Sequence, residues 1–186
     1  MGKLTIITPS YRIQNLKNMY DTMNFDYIDE WIIVYDGKNV HEHPQLFQHD
    51  KIKEYLFSGD GFMGSPQRNY GISHISNEDT YIYFLDDDNI IHPELYNLLD
   101  SVEPNKFYTF DQNRNNNNNI LPGNNIAMCR IDTAMFTCHY SMVKDIFWGN
   151  HTQQADGVYI MECYAKNKNS HVYINKTMAY WNKLRR

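Results

Sequence analysis

Three carboxylates stand side by side at Asp86-Asp87-Asp88, with Asn89 behind them. Adjacent carboxylates repel one another and core packing gives no reason for them, so something positive is expected to meet them. Hard divalent cations take carboxylate oxygen, and Mn²⁺ or Mg²⁺ commonly bridges protein carboxylates to substrate phosphates. In an extended segment Asp86 and Asp88 point the same way, so the pair can face one ligand. The other reading is a solvated acidic turn, with Asp88 capping the helix region that Pro93 opens.

Further residues of chemical interest are spread along the chain. Asp36, in Val34-Tyr35-Asp36-Gly37, is either an ordinary Asp-Gly turn residue or an acceptor for the imide N–H of a pyrimidine base. Arg68, in Gly64-Ser65-Pro66-Gln67-Arg68-Asn69, falls in the first turns of a helix, where the dipole does not favour a cation. It can hold a diphosphate or nucleotide, or pair with the acidic cluster. Asp156 opens a late helix, either as a favourable N-terminal residue or as a general base held toward a cleft. Glu162, further along that helix, reads as a solvated face residue. His171 is a further metal or phosphate ligand to consider. His41-Glu42-His43 is a compact set of metal-type ligands in a Pro-flanked loop, without the HExxH pattern.

Those residues need elements to position them. Leu4–Thr8, Trp31–Tyr35, Ile52–Phe57, Tyr81–Leu85 and Phe107–Phe110 are short apolar or β-branched runs and are expected to be strands. Helices are expected from about Gln14 to Met23, from Ser65 with Ser as N-cap and Pro66 at the first helical position, from Pro93 through Leu99, over Ser141–Phe147, and over Ala155–Lys166. Ser58–Gly61 reads as a loop. The Asn-rich segment Asn113–Asn125 reads as a mobile loop near the cleft, and Met128–His139 has no clear pattern. His171–Ile174 and Met178–Trp181 read as two terminal extended pieces. Strand and helix alternate through the first half, which implies a parallel sheet with helices on both faces. Ligands then bind at the carboxyl ends of the strands, just after Thr8, Tyr35 and Leu85.

The chain has 186 residues, enough for one domain with a real core. Its 17 Lys and Arg against 22 Asp and Glu give a net charge of −5, so it lacks the basic footprint of a general nucleic-acid binder, and no nucleic-acid partner is expected. No apolar run approaches a membrane span, and the first strand starts too near Met1 for a signal peptide. The three cysteines, Cys129, Cys138 and Cys163, lack CxxC spacing, which excludes a disulfide framework and points to a reducing, cytoplasmic compartment. The 15 Tyr fit either a carbohydrate-contacting surface or a composition bias of the source.

Taken in order, Thr8-Pro9-Ser10-Tyr11-Arg12 after the first strand, Asp36 after the second, Gln67-Arg68-Asn69, Phe84-Leu85-Asp86-Asp87-Asp88, Ala155-Asp156-Gly157 and the closing Tyr173-Ile174 with Ala179-Tyr180 resemble a glycosyltransferase of the GT-A fold, similar to the inverting family 2. Around Tyr83–Asn89, with Glu94-Leu95, the chain also looks like the eukaryotic glucuronyltransferases. The resemblance covers nearly the whole chain. It implies a single α/β, Rossmann-like domain over residues 1–186 with a mostly parallel central sheet flanked by helices. Residues 1–112 would be the nucleotide-sugar-binding half and 113–186 the acceptor-side half.

The activity implied is metal-dependent, inverting hexosyl transfer from a nucleotide-sugar donor, with a UDP-sugar expected, to a glycan or other hydroxyl acceptor. Pro9 and Tyr11 would line the base pocket, Asp36 would read uracil, and Arg68 would contact the nucleotide. Asp86 would approach the ribose, with Asp87 beside it at the donor. Asp88, with Asp86, would hold Mn²⁺ or Mg²⁺, and Asp156 would be the catalytic base. The family's Glu-Asp pair is Ala155-Asp156 here, and its downstream arginine is not evident, which leaves product phosphate to His171 or Lys176. A non-catalytic nucleotide-sugar or glycan-binding module of the same fold is the alternative. A sugar-1-phosphate nucleotidylyltransferase would need a glycine-rich loop that Thr8–Arg12 lacks.

Overall fold

In the computed structural model, residues 2–40, 44–59, 63–114, 119–149 and 154–185 are described. Strand β1 (Leu4–Ser10) leads to helix α1 (Ile13–Tyr20), β2 (Ile28–Asp36), β3 (Ile52–Phe57) and α2 (Ser65–Ile72). The chain continues through β4 (Tyr81–Phe84), β5 (Ile90–Ile91), α3 (Glu94–Leu99), β6 (Phe107–Arg114), β7 (Asn119–Leu121), β8 (Phe136–His139), α4 (Ala155–Asn167) and β9 (His171–Trp181). These strands form one sheet in the order β3-β2-β1-β4-β8-β6-β9-β5, with β7 paired to β6. The segment β3-β2-β1-β4 is parallel throughout. Beyond it β8 runs antiparallel to β4 and β6, and β9 returns parallel to β6.

Period-two alternation divides each central strand between two cores. Leu4, Ile6, Trp31, Ile33, Tyr81 and Tyr83 pack with Leu16 and Met19 of α1 and Leu95 and Leu99 of α3. Ile7, Ile32, Val34, Ile82 and Phe84 pack on the other face with Ile72 of α2 and with Tyr159 and Ile160 of α4. Both faces are covered, which is why these strands read as unbroken apolar runs. Helix α2 lies especially close to β1, because Gly71 has no Cβ and a methyl group placed there would stand 2.6 Å from Ile7 Cγ2.

Several expectations change. The Asn-rich segment is not simply a loop: β6 runs on through Arg114, and Asn119–Leu121 pairs back onto Gln112–Arg114. Its polar residues suit a short edge strand, and Gly123 N–H donates to Asp111 Oδ1 at 2.9 Å where the chain crosses β6. Residues 115–118 lie outside the described residues, as do His41-Glu42-His43 and parts of the Ser58–Gly61 loop. Ser141–Phe147 is not an α-helix: a 3-10 turn, Tyr140–Met142, is followed by turns from which Val143, Ile146 and Trp148 pack into the second core. The patternless Met128–His139 stretch contains a 3-10 turn, Thr133–Met135, and β8. His171–Ile174 and Met178–Trp181 are parts of one strand, held together by its bulged pairing with β6. Helix α1 stops at Tyr20, and the first residue of α2 is Ser65, with Gly64 rather than Ser65 as its N-cap. The expected division at 112/113 falls inside β6. No described helix is long and apolar enough to cross a membrane.

Gly71→Ala should destabilise the fold. The gain in helix propensity is about 1 kcal/mol, whereas overpacking a stiff buried isoleucine costs about 1–3 kcal/mol, so a net loss is expected in urea melts. An unchanged midpoint would show that α2 is not seated this closely on β1.

Candidate active site

The carboxyl ends of β1, β2 and β4 converge, and the three aspartates after β4 diverge. Asn89 N–H donates to the Asp86 carbonyl at 3.0 Å, closing a turn where an extended segment was expected. Asp86 and Asp88 therefore do not share a side through strand alternation, and each of the three carboxylates meets a different partner.

Asp87 is turned inward. Its Oδ2 accepts from the N–H groups of Tyr11 and Arg12 at 2.8 and 2.7 Å and from Ser10 Oγ–H at 3.3 Å, while Oδ1 accepts from Arg12 Nη1 at 2.6 Å. Helix α1 has no acidic residue in its first turn and no side-chain cap of its own. Asp87 instead holds the two N–H groups that lead into the helix and places a carboxylate near its N-terminal end, where an anion is favoured. Its carbonyl also accepts from Asn15 Nδ2 at 2.9 Å. With every oxygen engaged and the residue buried, Asp87 ties the β1–α1 connection to the β4 turn.

Asp88 lies 3.2 Å from Arg12 Nη1 and is also buried. Burial pushes its carboxyl up to about 6; Arg12 and Arg185 oppose this, and Asp86 and Asp87 add to it. No group of three or more His, Cys, Asp or Glu that could hold a metal ion by themselves occurs among the described residues. Mg²⁺-type ions, however, are usually held by one or two carboxylates together with substrate phosphates. Asp88 offers one buried carboxylate at the cleft turn to an ion that arrives with a diphosphate, whereas Asp86, expected to share that ion, is engaged by Arg68.

Asp86 pairs with Arg68, Nη2 to Oδ1 at 2.5 Å. The Arg68 side chain is only 3% exposed and lies over the Trp148 ring at 4.6 Å, with Nη1 donating to the Met63 carbonyl at 2.9 Å. Burial lowers a guanidinium's affinity for its proton, but Asp86, Asp156 and Asp132 outweigh it and hold Arg68 charged. Local geometry makes room for this. Gly64 has φ of 77°, and a Cβ there would meet Pro9 Cβ at 3.0 Å and Arg68 Nη1 at 3.1 Å. Asn69, the next residue, grips the Trp148 backbone from both sides, Nδ2 to its carbonyl at 2.9 Å and Oδ1 from its N–H at 2.8 Å. Trp148 in turn stacks on Tyr159 of α4 at 4.1 Å and 8°. The Gln67-Arg68-Asn69 motif therefore fixes both a cation and the helix that carries Asp156.

Asp156 stands at the second position of α4, with Oδ1 3.9 Å from Arg68 Nη2. Its side chain keeps about a third of its surface open, yet protein surrounds it. Burial pushes its carboxyl up to about 7; Arg68 opposes this, and Asp86 and Asp132 add to it. Arg68 thus joins Asp86 and Asp156, two carboxylates 70 residues apart, at one centre.

At the rim, Tyr11 is half exposed and the Arg12 guanidinium covers one face of its ring at 4.1 Å. Pro9 sits against Gly64. Asp36 closes its own turn, accepting from Lys38 N–H at 3.1 Å and Asn39 Nδ2 at 2.6 Å. His171 is placed far from this centre: it begins β9, whose carboxyl end, not its start, is on the site's side of the sheet, and its ring pairs with Thr109. Lys176 is exposed and pairs with Glu94. Glu162 pairs with Lys166 on the α4 surface, as expected.

Three residues here carry no expectation from the sequence. Arg12 ends the strand-end motif but has no spacing signal of its own. Trp148 follows a stretch that reads as a helix. Asp132, within the electrostatic reach of Asp86, Asp156 and Arg68, lies in the stretch without a clear pattern and in the structure caps the turn at Thr133.

Comparison with known proteins accords with this arrangement. The sequence profile of glycosyl transferase family 2 matches residues 5–128, and the chain belongs to that family. Among solved structures it resembles S. aureus TarS residues 1–349, with a TM-score of 0.73 and 14% identity over 96% of this chain and 60% of that one. The complex of the same TarS fragment with UDP-GlcNAc gives a TM-score of 0.70 and 14% identity, over 96% of this chain and 58% of that one. The fold is thus the GT-A fold of glycosyltransferases, and the chain spans about three-fifths of the TarS fragment. A search of curated protein sequences finds no match.

Asp87→Ala should leave two backbone N–H groups without their acceptor and Arg12 with Asp88 alone. A loss of about 3 kcal/mol is expected in chemical denaturation, the scale for breaking one side of a buried pair. A loss below about 0.5 kcal/mol, the range of ordinary surface substitutions, would contradict the clamp.

Proposed function

We propose that the protein transfers a hexosyl group from a UDP-sugar to a hydroxyl acceptor with inversion at the anomeric carbon. The observation that carries this reading is Asp156 beside Arg68: a cleft carboxylate raised to about 7, whose Oδ1 lies 3.9 Å from the same Nη2 that holds Asp86 at 2.5 Å. Family membership and the TarS likeness support the nucleotide-sugar class of donor.

In this reading Pro9 and the exposed Tyr11 flank the base, and Asp36 accepts its imide N–H. Asp86 lies toward the ribose, and Arg68 turns its charge to the donor while fixing Asp86 and Asp156. Asp87 serves the donor indirectly, by holding the Ser10–Arg12 connection. Asp88, together with the donor diphosphate, would hold Mn²⁺ or Mg²⁺, which when bound supplies Lewis-acid stabilisation of the leaving diphosphate. The residues after 112, α4 above all, form the acceptor side. The three cysteines are free thiols, which suits a reducing compartment.

Asp156 takes the proton of the acceptor hydroxyl as that oxygen bonds to the anomeric carbon. The bond from that carbon to the phosphate oxygen breaks, and UDP leaves with the electron pair. One base on the face opposite the leaving group gives inversion. A carboxylate raised to about 7 is a stronger base than one at its ordinary 3.8, and still ionised enough to act near neutral pH.

Release of UDP from UDP-hexoses with Mn²⁺, using water or a sugar as acceptor, tests this. Asp156→Asn should lower turnover by ~10²-fold or more and leave UDP affinity unchanged. Asp88→Ala should instead weaken UDP binding in the presence of Mn²⁺. Asp156 must be ionised to act, so kcat/KM should rise with pH through about 7 and level off above it. Wild-type turnover in Asp156→Asn, or a rate already flat from pH 5, would refute the assignment.

A further inference from the structure

Strands β2 and β3 are parallel neighbours, so the chain must cross over to pass from one to the other. Such a crossover usually carries a helix on the sheet. Here residues 37–51 make the connection with neither helix nor strand among the described residues. Phe47 of this connection packs on the sheet at Trp31, 5.4 Å between ring centres. Beside it lies a cavity of about 450 Å³, walled by α1 and by residues 46–49. Long connections without regular structure are as a rule either disordered or functional.

The stretch that walls the cavity is fastened. Glu54 of β3 accepts from Leu46 and Phe47 N–H at 2.9 and 3.2 Å and from Tyr35 O–H at 2.5 Å. His49 Nδ1 accepts from Lys51 N–H at 3.1 Å, and its ring lies on Phe25 at 4.3 Å. Phe47 stacks on Tyr20 of α1 at 5.2 Å and 21°. The wall is therefore set before any ligand arrives, and little ordering remains to oppose binding. Its lining has a definite chemistry. Tyr20 and Phe47 supply aromatic surface, and the exposed amides of Gln14 and Gln48 are bonded to no described residue. No described carboxylate lines the cavity, and its one permanent charge, Lys17, is paired with Asp21 at 3.4 Å. A cation finds no counter-charge here, and an anion meets only a lysine that already has one. Aromatic rings suit the C–H face of a sugar, and an amide, which donates and accepts, suits hydroxyls that do the same.

We propose that this cavity is an accessory glycan site, which holds neutral sugar units of the acceptor away from the centre of transfer. The inference rests on the transferase reading above and names the acceptor as an oligosaccharide or polysaccharide. The cavity belongs to α1 and the β2–β3 connection and shares no residue with the centre formed by Asp86, Arg68 and Asp156. It extends along α1 from Gln14 to Tyr20, about 9 Å, starting just after the Tyr11–Arg12 rim of the cleft. A chain-like acceptor held there has its free end at a raised effective concentration near the cleft, without any further contact to the reacting sugar.

Nitrogen-15 NMR shift mapping tests it, with cellotetraose, maltotetraose and N-acetylated chitotetraose as probes. The proteins are wild type and the double variant Gln14→Ala with Gln48→Ala, which alters two exposed side chains only. At least one saccharide should shift the backbone amides of Phe47, Gln48 and His49 in wild type, both with and without UDP and Mn²⁺. The double variant should bind that saccharide about tenfold more weakly, because two side-chain hydrogen bonds are lost. Its UDP affinity, and its release of UDP from UDP-hexoses with water as acceptor, should stay at wild-type values. No shift at residues 47–49 with any of the three saccharides would overturn the proposal. So would shifts confined to the cleft, or a saccharide affinity unchanged in the variant. A wild type that neither binds nor releases UDP would instead remove the transferase reading, and the acceptor role with it, whatever the saccharides do.

Discussion

A single buried guanidinium joins the two halves of the cleft. Arg68 carries its charge into a setting that by itself favours losing it, and the charge survives because carboxylates arrive from two directions: Asp86 from the end of β4 and Asp156 from the start of α4. The surroundings follow from that demand. Gly64 must be glycine to let Arg68 and Pro9 approach, Met63 supplies a carbonyl, and Trp148 covers the cation's face. Asn69 then secures Trp148, and Trp148 secures α4 through Tyr159. A buried cation with these partners is expensive to disturb, since removing either carboxylate leaves charge stranded in a poor solvent.

Three adjacent aspartates divide their work because the chain turns at them. Asp86 faces Arg68, Asp87 holds the N–H groups that lead into α1, and Asp88 stays beside Arg12 with its carboxyl raised. Arg12 bridges Asp87 and Asp88, so the β1–α1 connection and the acidic turn form one unit. The C-terminal residues lie on the same turn: Leu184 N–H donates to the Asp88 carbonyl at 3.0 Å and Asn182 N–H to Asn89 Oδ1 at 2.8 Å. The acidic turn is therefore held from the first connection of the fold and from its last described segment.

What the sequence discloses and what it hides have a common physical cause. Strands buried on both faces are apolar at every position, so β1, β2 and β4 are legible as continuous runs. The strands of the second half gain their structure from distant partners. Asn113 and Arg114 are extended because Ile120, Asn119, Tyr180 and Trp181 pair with them, and nothing local to an Asn-rich segment announces that. The site follows the same rule. Residue types at strand ends are legible as chemistry, and Arg68 and Asp156 do come together. The separate directions of Asp86 and Asp88 depend on one turn hydrogen bond, and Asp132 caps a 3-10 turn in a stretch whose sequence carries no legible period.

The account stands or falls on the state of Asp156. The proposed role as a base requires that the cleft raise its carboxyl well above the ordinary range while Arg68 keeps it ionisable. A carbon-13 NMR titration of the aspartate carboxyl carbons, with Asp156 assigned by substitution, measures this without any substrate. The account predicts a midpoint near 7 for Asp156 in the wild-type protein, moving higher in Arg68→Gln as the opposing charge is removed. A midpoint near 4 in both proteins would contradict it.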